Sequence, residues 1–334
     1  MCRFLLHGIV FVLLTGTVLD ADPTGPAPAS TTLPAKPAKR EYGWNMTIDR
    51  IPKDMMVEDN IVYKSVIGHD LKLTVFYPRE KKFAAAPLLV YIHGGGFAHG
   101  NRFVIEASGG IDVVRQLNDA GVVCVTIEYR LVDGTGALLM DAAADCKDAV
   151  HFMVKSAGRF GIDPNRIATM GGSAGGHLSL VTALGDDQDY PCDPELAKYK
   201  GKVLAEVADF PLVSLVDPRV FKGSNFERPE RFIPLLGGTL AQKRDVAEKL
   251  SPTSLLKPGS PAIFVAQGDD DRVLNVINAI TLAKACEEKG APVELLIVKG
   301  AGHGFSGQHI DPPLAEISRR SAAFVLKYLL PAGK

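Results

Sequence analysis

The segment IATMGGSAGGHLSLVTAL, residues 167–184, decides the fold of this chain. Ile167–Met170 is mostly apolar, as in a buried strand, and Ala174–Leu184 has the pattern of a helix. Between them, residues 171–175 form the pattern GxSxG, whose glycines permit a tight turn from strand to helix. Such a turn presents the Ser173 hydroxyl at a helix N-terminus, where partial positive charge favours an anion. The segment therefore predicts an α/β fold with Ser173 as a nucleophile.

The same alternation of strand and helix extends along most of the chain. Short apolar runs, typical of strands covered on both faces, occur at Leu88–Ile92, Val122–Ile127, Ile167–Met170, Val203–Val207, Ile263–Ala266 and Val293–Val298. Helix-like segments lie at Ile111–Ala120, Leu138–Ala157, Ala174–Leu184, Asn275–Lys289 and Leu314–Leu330. Ile61–Ile67 and Leu71–Tyr77 predict an N-terminal antiparallel hairpin. Together they predict an α/β, doubly wound and mostly parallel sheet with right-handed crossovers.

The composition is that of a sizeable globular protein. The 334 residues are 46% hydrophobic and carry 37 Lys+Arg against 38 Asp+Glu, a formal charge of −1. This balance gives no electrostatic reason to expect a nucleic-acid partner or an anionic membrane surface. Five cysteines are too few for a disulfide scaffold, and they show no pairwise metal spacing. We therefore expect no metal and no cofactor, and leave the pairing of Cys192 and the oligomeric state open.

The N-terminus has the features of an export signal. Arg3 precedes an apolar run from Phe4 to Leu19, and the small residue Ala21 follows. These features predict a signal peptide over residues 1–21 and a secreted or periplasmic protein. The apolar run is shorter than the roughly 20 residues that favour a membrane span. A membrane anchor formed by an uncleaved segment is the alternative; with cleavage, we expect no stable membrane association.

Two further segments have unusual compositions. Residues 22–40 are rich in Pro, Ala and Thr, which bury little surface and favour an extended linker. Residues 41–334 then form the catalytic domain. Within it, residues 209–261 contain seven prolines and little strand pattern, which predicts a cap-like insertion above the sheet edge. The alternative is a surface loop with a short helix at Ala241–Leu250.

A serine hydroxyl needs a general base to take its proton, and His303 is the candidate. It stands in KGAGHGF, residues 299–305, directly after an apolar run. In open α/β sheets, sites form beyond the carboxyl ends of strands, and flanking glycines let an imidazole reach into a cleft. The other histidines lie in the export signal, a turn, two helices, the chain beyond this loop, and the glycine segment near residue 93.

A carboxylate must fix the tautomer of the base. GDDDRV, residues 268–273, follows another apolar run, and its three consecutive acids leave the register open. An acid followed by an apolar anchor favours Asp271, with Asp270 as the alternative and Asp269 as a cap of the turn. Serine, then acid, then histidine is the chain order of the α/β-hydrolase arrangement.

Acyl transfer also needs amide donors for the oxyanion. HGGGF, residues 93–97, ends a predicted strand and fits the HGGG-type motif. Glycines there let N–H groups approach a substrate oxygen without side-chain obstruction. We expect Gly94 and Gly95 to face that oxygen, with the Ala174 N–H as the opposing donor. His93 is expected to orient the loop by hydrogen bonding.

These motifs resemble those of a known family. The α/β-hydrolase carboxylesterases of the BD-FAE type are acetylxylan/feruloyl esterase-like and related to the hormone-sensitive-lipase esterases. The similar motifs, in family order, are HGGGF (93–97), EYRL (128–131), GIDPNRI (161–167), GGSAGGH (171–177), SP (251–252) and GAGHGF (300–305). The resemblance implies a triad of Ser173, Asp271 and His303. It departs at VDGTG (132–136), which puts substrate preference in doubt, and at QGDDD (267–271), where many relatives have HG before the acid.

The expected activity is hydrolysis of carboxylic esters through an acyl-enzyme. The resemblance implies a small-molecule or polysaccharide-linked substrate with a short-chain, acetyl or feruloyl group. One alternative is a prolyl-oligopeptidase-like serine peptidase, although such enzymes usually carry a propeller domain and lack HGGG. The other is a non-catalytic α/β-hydrolase binding module, although such proteins typically lose a triad residue.

Overall fold

A computed structural model describes residues 53–66, 68–224 and 227–330. Its strands are β1 (Met56–Val66), β2 (His69–Tyr77), β3 (Ala86–Ile92), β4 (Val123–Ile127), β5 (Ile162–Gly172), β6 (Val203–Asp209), β7 (Ala262–Gly268) and β8 (Val293–Val298). They form one sheet in the order β1-β2-β4-β3-β5-β6-β7-β8. β2 is antiparallel to both β1 and β4, and every other neighbouring pair is parallel. The predicted hairpin and mostly parallel sheet are confirmed.

Helices cover both faces of this sheet. They are α1 (Gly110–Asp119), α2 (Leu139–Lys155), α3 (Ala157–Phe160), α4 (Ala174–Leu184), α5 (Phe232–Leu236), α6 (Arg244–Lys249), α7 (Pro252–Leu255), α8 (Ile277–Lys289) and α9 (Leu314–Leu329). Successive residues of a strand point to opposite faces, so β3 feeds two cores. Leu88 and Val90 pack in the core with α2, α4 and α8, whereas Leu89 and Tyr91 pack in the core with α1 and α9.

The observed boundaries differ from the expected ones where polar residues continue a strand. β1 begins at Met56 and β5 at Ile162, each five residues before the apolar run that predicts it. In β5 the extension pairs Ile162 with Ala86, and the register shifts before Leu88 pairs with Ile167. Hydrogen bonds of the backbone therefore hold residues that hydrophobic patterning alone does not assign to a strand.

Residues 210–261 form short helices and irregular chain. α5, α6 and α7 lie in this interval, and α6 falls within the helix expected at Ala241–Leu250. The interval is not a surface loop, because its residues Leu212, Val213, Leu215, Val220 and Leu236 are buried in the core shared with α2, α4 and α8. Whether it caps a substrate remains a prediction.

The expected signal peptide (1–21) and linker (22–40) lie outside the described residues, as does Ile67 of the predicted hairpin. Within the described ranges, no helix combines the length and apolar character needed to cross a bilayer. The four cysteines of those ranges, Cys124, Cys146, Cys192 and Cys286, are unbridged.

Candidate active site

Ser173 occupies a strained turn between β5 and α4. Its φ of 57° and ψ of −122° lie in a region that residues with a side chain rarely adopt. Its N–H donates to the Asp209 carbonyl at the end of β6, with an N···O distance of 2.9 Å. Gly175 permits the close approach of α4 to β3, because a Cβ there would lie 2.1 Å from the Ile92 carbonyl oxygen. The turn thus depends on three neighbouring strands.

The hydroxyl of Ser173 lies at one end of a hydrogen-bonded line. Its Oγ is 2.9 Å from His303 Nε2, and His303 Nδ1 is 2.8 Å from Asp271 Oδ2. The imidazole is partly exposed, whereas the Asp271 carboxylate is buried. His303 follows β8 and Asp271 follows β7, so the carboxyl ends of separate strands bring the three groups together.

Of the three acids in the loop after β7, Asp271 is the one that contacts His303. Its other oxygen, Oδ1, accepts the Val273 and Leu274 N–H groups at 2.8 and 3.0 Å. Asp270 is exposed and contacts Arg272. Asp269 Oδ1 accepts the Gly300 N–H at 2.7 Å and so ties the acid loop to the histidine loop. The contact favours Asp271 over Asp270, and its catalytic role stays a prediction.

Gln267 is a site residue to which sequence reasoning gave no role. Its Nε2 donates to Asp271 Oδ2 at 2.8 Å, the same oxygen that accepts from His303, and to the Leu274 carbonyl at 2.9 Å. The side chain is fully buried at the end of β7. The signal in the sequence was a polar side chain at the end of an apolar run.

Phe210 forms one wall beside the imidazole. Its ring packs edge-on against His303 with centroids 4.9 Å apart, and against Phe305 at the same distance. The backbone of Phe210 has a φ of 40°, and its N–H donates to the Ala266 carbonyl at 2.7 Å. A buried aromatic ring held by β7 therefore limits how the imidazole can turn.

Three amide groups, two in the glycine loop after β3 and one at the start of α4, are the candidate oxyanion donors. Among the described residues, the N–H groups of Gly94, Gly95 and Ala174 donate to no acceptor. Gly94 lies close to the nucleophile, because a Cβ on it would be 3.6 Å from the Cβ of Ser173. That these amides stabilise an oxyanion stays a prediction.

His93 supports the glycine loop through a hydrogen bond and a stacked ring. Its Nδ1–H donates to the Gly94 carbonyl at 2.8 Å, and its ring stacks on Tyr129 with centroids 4.3 Å apart. The Tyr129 hydroxyl donates to the His93 carbonyl at 2.9 Å. Burial lowers the pKa of His93 to about 4, so the imidazole is neutral at neutral pH and acts as a hydrogen-bonding support.

Two buried carboxyl groups on β6 lie next to this site. Asp209 is 3% exposed and its Oδ1 has no hydrogen-bond partner among the described residues. Burial raises its pKa to about 8, so the carboxyl is protonated at neutral pH. Burial likewise raises the pKa of Glu206 well above its usual range, and Ser179 donates to its Oε1 at 2.5 Å. Hydrophobic patterning alone does not predict buried acids in an otherwise apolar strand.

The remaining candidates have structural contacts. His177 is buried on α4, and its Nδ1 is 2.9 Å from the Leu212 carbonyl oxygen. Asp145 accepts from Arg130 Nε at 2.7 Å. Val132, at the start of the divergent loop, donates its N–H to the Phe97 carbonyl at 2.9 Å and joins that loop to the glycine segment.

Comparisons with known proteins agree with this geometry. The BD-FAE family model matches residues 73–286, more than half of the chain. Esterase LipC of Mycobacterium tuberculosis is 28% identical over 245 residues, which cover 70% of this chain and 56% of LipC. The acetylxylan esterase of Xylanibacter ruminicola is 26% identical over 220 residues, covering 65% of this chain and 40% of that protein. This chain therefore spans about half the length of the curated relatives it matches.

A solved structure gives the same fold. Est2, an esterase from Thermogutta terrifontis, has a TM-score of 0.66 at 26% identity, covering 84% of this chain and 95% of Est2. A second Est2 structure holds butyrate and has a TM-score of 0.67 at 25% identity, covering 83% of this chain and 96% of Est2. The α/β-hydrolase fold expected from the sequence is confirmed.

Proposed function

The chain belongs to the BD-FAE family, and from that premise we propose that it hydrolyses carboxylic esters with Ser173 as nucleophile. One observation carries the proposal: the unbroken line from Ser173 Oγ through His303 to a buried carboxylate, beside amide groups that have no protein acceptor. A serine hydroxyl activated by an imidazole and aimed at an oxyanion site is the arrangement that acyl transfer requires.

The proposed reaction has two halves. Ser173 Oγ attacks the ester carbonyl carbon while His303 Nε2 takes the hydroxyl proton, and the Gly94, Gly95 and Ala174 N–H groups stabilise the oxyanion. His303 then gives that proton to the departing alkoxide, which leaves an acyl-enzyme. In the second half, water attacks the acyl carbon, His303 takes a proton from the water, and Ser173 recovers it as the acid departs.

Asp271 and Gln267 act in this scheme through the imidazole. The carboxylate accepts the Nδ1–H of His303, which leaves the Nε2 lone pair directed at Ser173 and stabilises the imidazolium that forms. Gln267 and two backbone amides fix the carboxylate, so its oxygen keeps one orientation through both halves. We regard Gln267 as a positioning residue.

We propose a small acyl group, acetyl or another short chain, with feruloyl as the larger candidate and plant polysaccharide as a candidate alcohol. Support comes from two relatives: one is an acetylxylan esterase, and Est2 has been solved with butyrate bound. We also propose export of the chain by cleavage after Ala21. Mass spectrometry of the protein secreted by an expression host would test this: retention of residues 1–21 would favour the membrane-anchored alternative.

The test of activity compares p-nitrophenyl acetate, butyrate and longer-chain esters with a feruloyl ester and a peptide substrate. We expect Ser173→Ala to lower kcat by at least about a thousand-fold, because the nucleophile of a triad accounts for most of the rate. Ser254→Ala, at an exposed position of α7, is the matched control and should keep full activity. Wild-type rates in Ser173→Ala would exclude the assignment, and faster cleavage of the peptide would favour a peptidase. A fluorophosphonate probe that labels the wild type but not Ser173→Ala would exclude a non-catalytic binding module.

A further inference from the structure

A second group of reactive side chains lies away from the proposed active site. Asp148 and His151 are buried on α2, one turn apart and therefore on one face of the helix. Cys192 follows α4 in the chain and is partly buried. One carboxylate oxygen, one imidazole nitrogen and the Sγ of these residues all lie within 4.8 Å of one another. Nothing in the proposed ester hydrolysis uses them.

The orientation of His151 points to a ligand at this group. Its Nε2 is 3.2 Å from Asp187 Oδ2, a carboxylate that accepts the Nε2–H, so in its neutral form the imidazole carries its lone pair on Nδ1. The Nδ1 atom is buried and has no hydrogen-bond partner among the described residues, and the whole side chain is nine-tenths or more buried. Metal-binding histidines typically bind the ion through one ring nitrogen and donate the N–H of the other to a carboxylate. In His151, Nδ1 would be the ligand and Nε2 the donor.

The distances fit a tetrahedral ion. His151 Nδ1 is 3.5 Å from Asp148 Oδ1, which is long for a hydrogen bond. Bonds of about 2.0–2.3 Å from a tetrahedral zinc ion to nitrogen, oxygen and sulfur place two donors roughly 3.3–3.6 Å apart. The nitrogen and oxygen already have this separation, and the sulfur lies within 4.8 Å of both. Asp148 Oδ1 also accepts the Asp193 N–H at 3.0 Å, and a carboxylate oxygen that accepts one such bond keeps a second lone pair for a metal.

Two lysines pair with carboxylates at this group through oxygens other than the proposed ligand atom of Asp148. Lys64 Nζ lies 2.6 Å from Asp148 Oδ2, and Lys147 Nζ lies 3.1 Å from Asp187 Oδ1. Each lysine therefore contacts the carboxylate oxygen that faces away from His151, which leaves Asp148 Oδ1 for the ion. A cavity of about 530 Å³, lined by His151, Asp187 and Lys147, adjoins the group and offers a route for the ion.

We propose that Asp148, His151 and Cys192 bind one Zn²⁺, with a fourth position open to water. Sulfur, imidazole and carboxylate together are a ligand set that suits zinc better than the harder Mg²⁺ or Ca²⁺. Binding forms three metal–ligand bonds and releases the Cys192 S–H proton to solvent, because the thiolate is the ligand.

The ion would lie away from the proposed nucleophile. Ser173 immediately precedes α4 and Cys192 follows it, and a helix of that length extends about 16 Å. The ion would join α2 to the chain after α4 and take no part in ester hydrolysis. This inference does not rest on the proposed function, and its failure would leave the ester hydrolase intact.

The test uses the full chain, treated with a chelator and then titrated with Zn²⁺ or Co²⁺. We expect one Zn²⁺ per chain, a raised Tm, and with Co²⁺ a thiolate-to-metal charge-transfer absorption. Cys192→Ser should abolish that absorption, and Asp187→Asn should weaken Zn²⁺ binding about 10–100-fold through loss of the partner that orients His151. Cys286→Ala, which removes a buried cysteine elsewhere, is the matched control and should bind as the wild type does.

A measurement on the wild type alone guards against variants that do not fold. Zn²⁺ should slow alkylation of Cys192 by iodoacetamide at least tenfold, as followed by peptide mass spectrometry. Three results would each overturn the proposal: equal alkylation rates with and without Zn²⁺, no charge-transfer absorption, or Zn²⁺ binding that Cys192→Ser retains in full.

Discussion

Replacing Asp209 by asparagine should change how the stability of this protein depends on pH. The carboxyl is buried, one of its oxygens lacks a partner among the described residues, and burial raises its pKa from 3.8 to about 8. Between those two values the native state holds a proton that the unfolded state has released. Below about pH 4 both states hold the proton, and Asp209 does not lower the free energy of unfolding. As the pH rises from 4 towards 8, the free energy of unfolding falls because the unfolded state alone releases the proton.

The magnitude follows from one proton. The free energy of unfolding should fall by about 1.4 kcal/mol for each pH unit across this window, or roughly 2.7 kcal/mol between pH 5 and pH 7. An asparagine side chain has nearly the same shape as aspartic acid and does not titrate, so Asp209→Asn lacks this slope. The variant should therefore gain stability relative to the wild type as the pH rises. His93 and His177 titrate in both proteins, and their contributions cancel in the difference.

The assay is reversible urea unfolding of wild type and Asp209→Asn at pH 5, 6 and 7, with m-values compared at each pH. Asp119→Asn, at an exposed position of α1, is the control and should leave the slope unchanged. A difference between wild type and Asp209→Asn that stays constant from pH 5 to pH 7 would show that Asp209 is ionised in the native state. The account of β6 as a strand with a neutral buried acid would then be wrong.

Three further variants test other parts of the structure. Gln267→Ala should lower kcat about tenfold or more and leave KM nearly unchanged. The variant loses the hydrogen bond to the Asp271 carboxylate, and a hydrogen bond to a charged group contributes about 1.5–3 kcal/mol. A raised KM with normal kcat would contradict the positioning role of Gln267. Burial lowers the pKa of His177 to about 4, so the unfolded state takes up a proton first as the pH falls from 6.5 to 4. The free energy of unfolding of the wild type should therefore fall by about 1.4 kcal/mol per pH unit from this group, and His177→Asn should lack that loss. An unchanged dependence of the unfolding free energy on pH, measured by urea unfolding, would refute this. Gly175→Ala should cost about 3 kcal/mol or more, since the added Cβ would lie 2.1 Å from the Ile92 carbonyl oxygen, whereas Gly158→Ala, with nothing within 4 Å, should be neutral or slightly stabilising.

The sheet could be predicted from the sequence because its inner strands are buried on both faces. Each therefore appears as an unbroken apolar run, and β3 shows this most clearly, with all seven residues buried. The first residues of β1 and β5 could not be predicted in the same way, because main-chain pairing holds them without requiring apolar side chains. Between β6 and β7, α6 falls within an expected helix, whereas α5 and α7 were hidden because prolines interrupt the helical period there.

The candidate site could be predicted in outline and not in detail. The glycine pattern around Ser173 and the position of His303 after a strand are local features, which a sequence carries directly. The choice among Asp269, Asp270 and Asp271 is not local, because three identical side chains differ only in the direction that the loop gives them. Gln267 was missed for a similar reason: a single buried amide has no pattern, and only its 2.8 Å contact with Asp271 Oδ2 reveals its role.

Unfavourable features of the described structure cluster around the proposed nucleophile. Ser173 has a strained backbone, Asp209 and Glu206 are buried acids on the neighbouring strand, and Gln267 Oε1 is buried without a partner among the described residues. Each costs stability, and Ser173, Asp209 and Gln267 each belong to or contact the proposed catalytic groups. The two cores on either side of the sheet supply the stability that offsets these costs. Substitutions that remove these unfavourable features, such as Asp209→Asn, should therefore raise the free energy of unfolding, with the largest gains at the carboxyl edge of the sheet. Changes at that edge also carry the greatest risk to the geometry of Ser173.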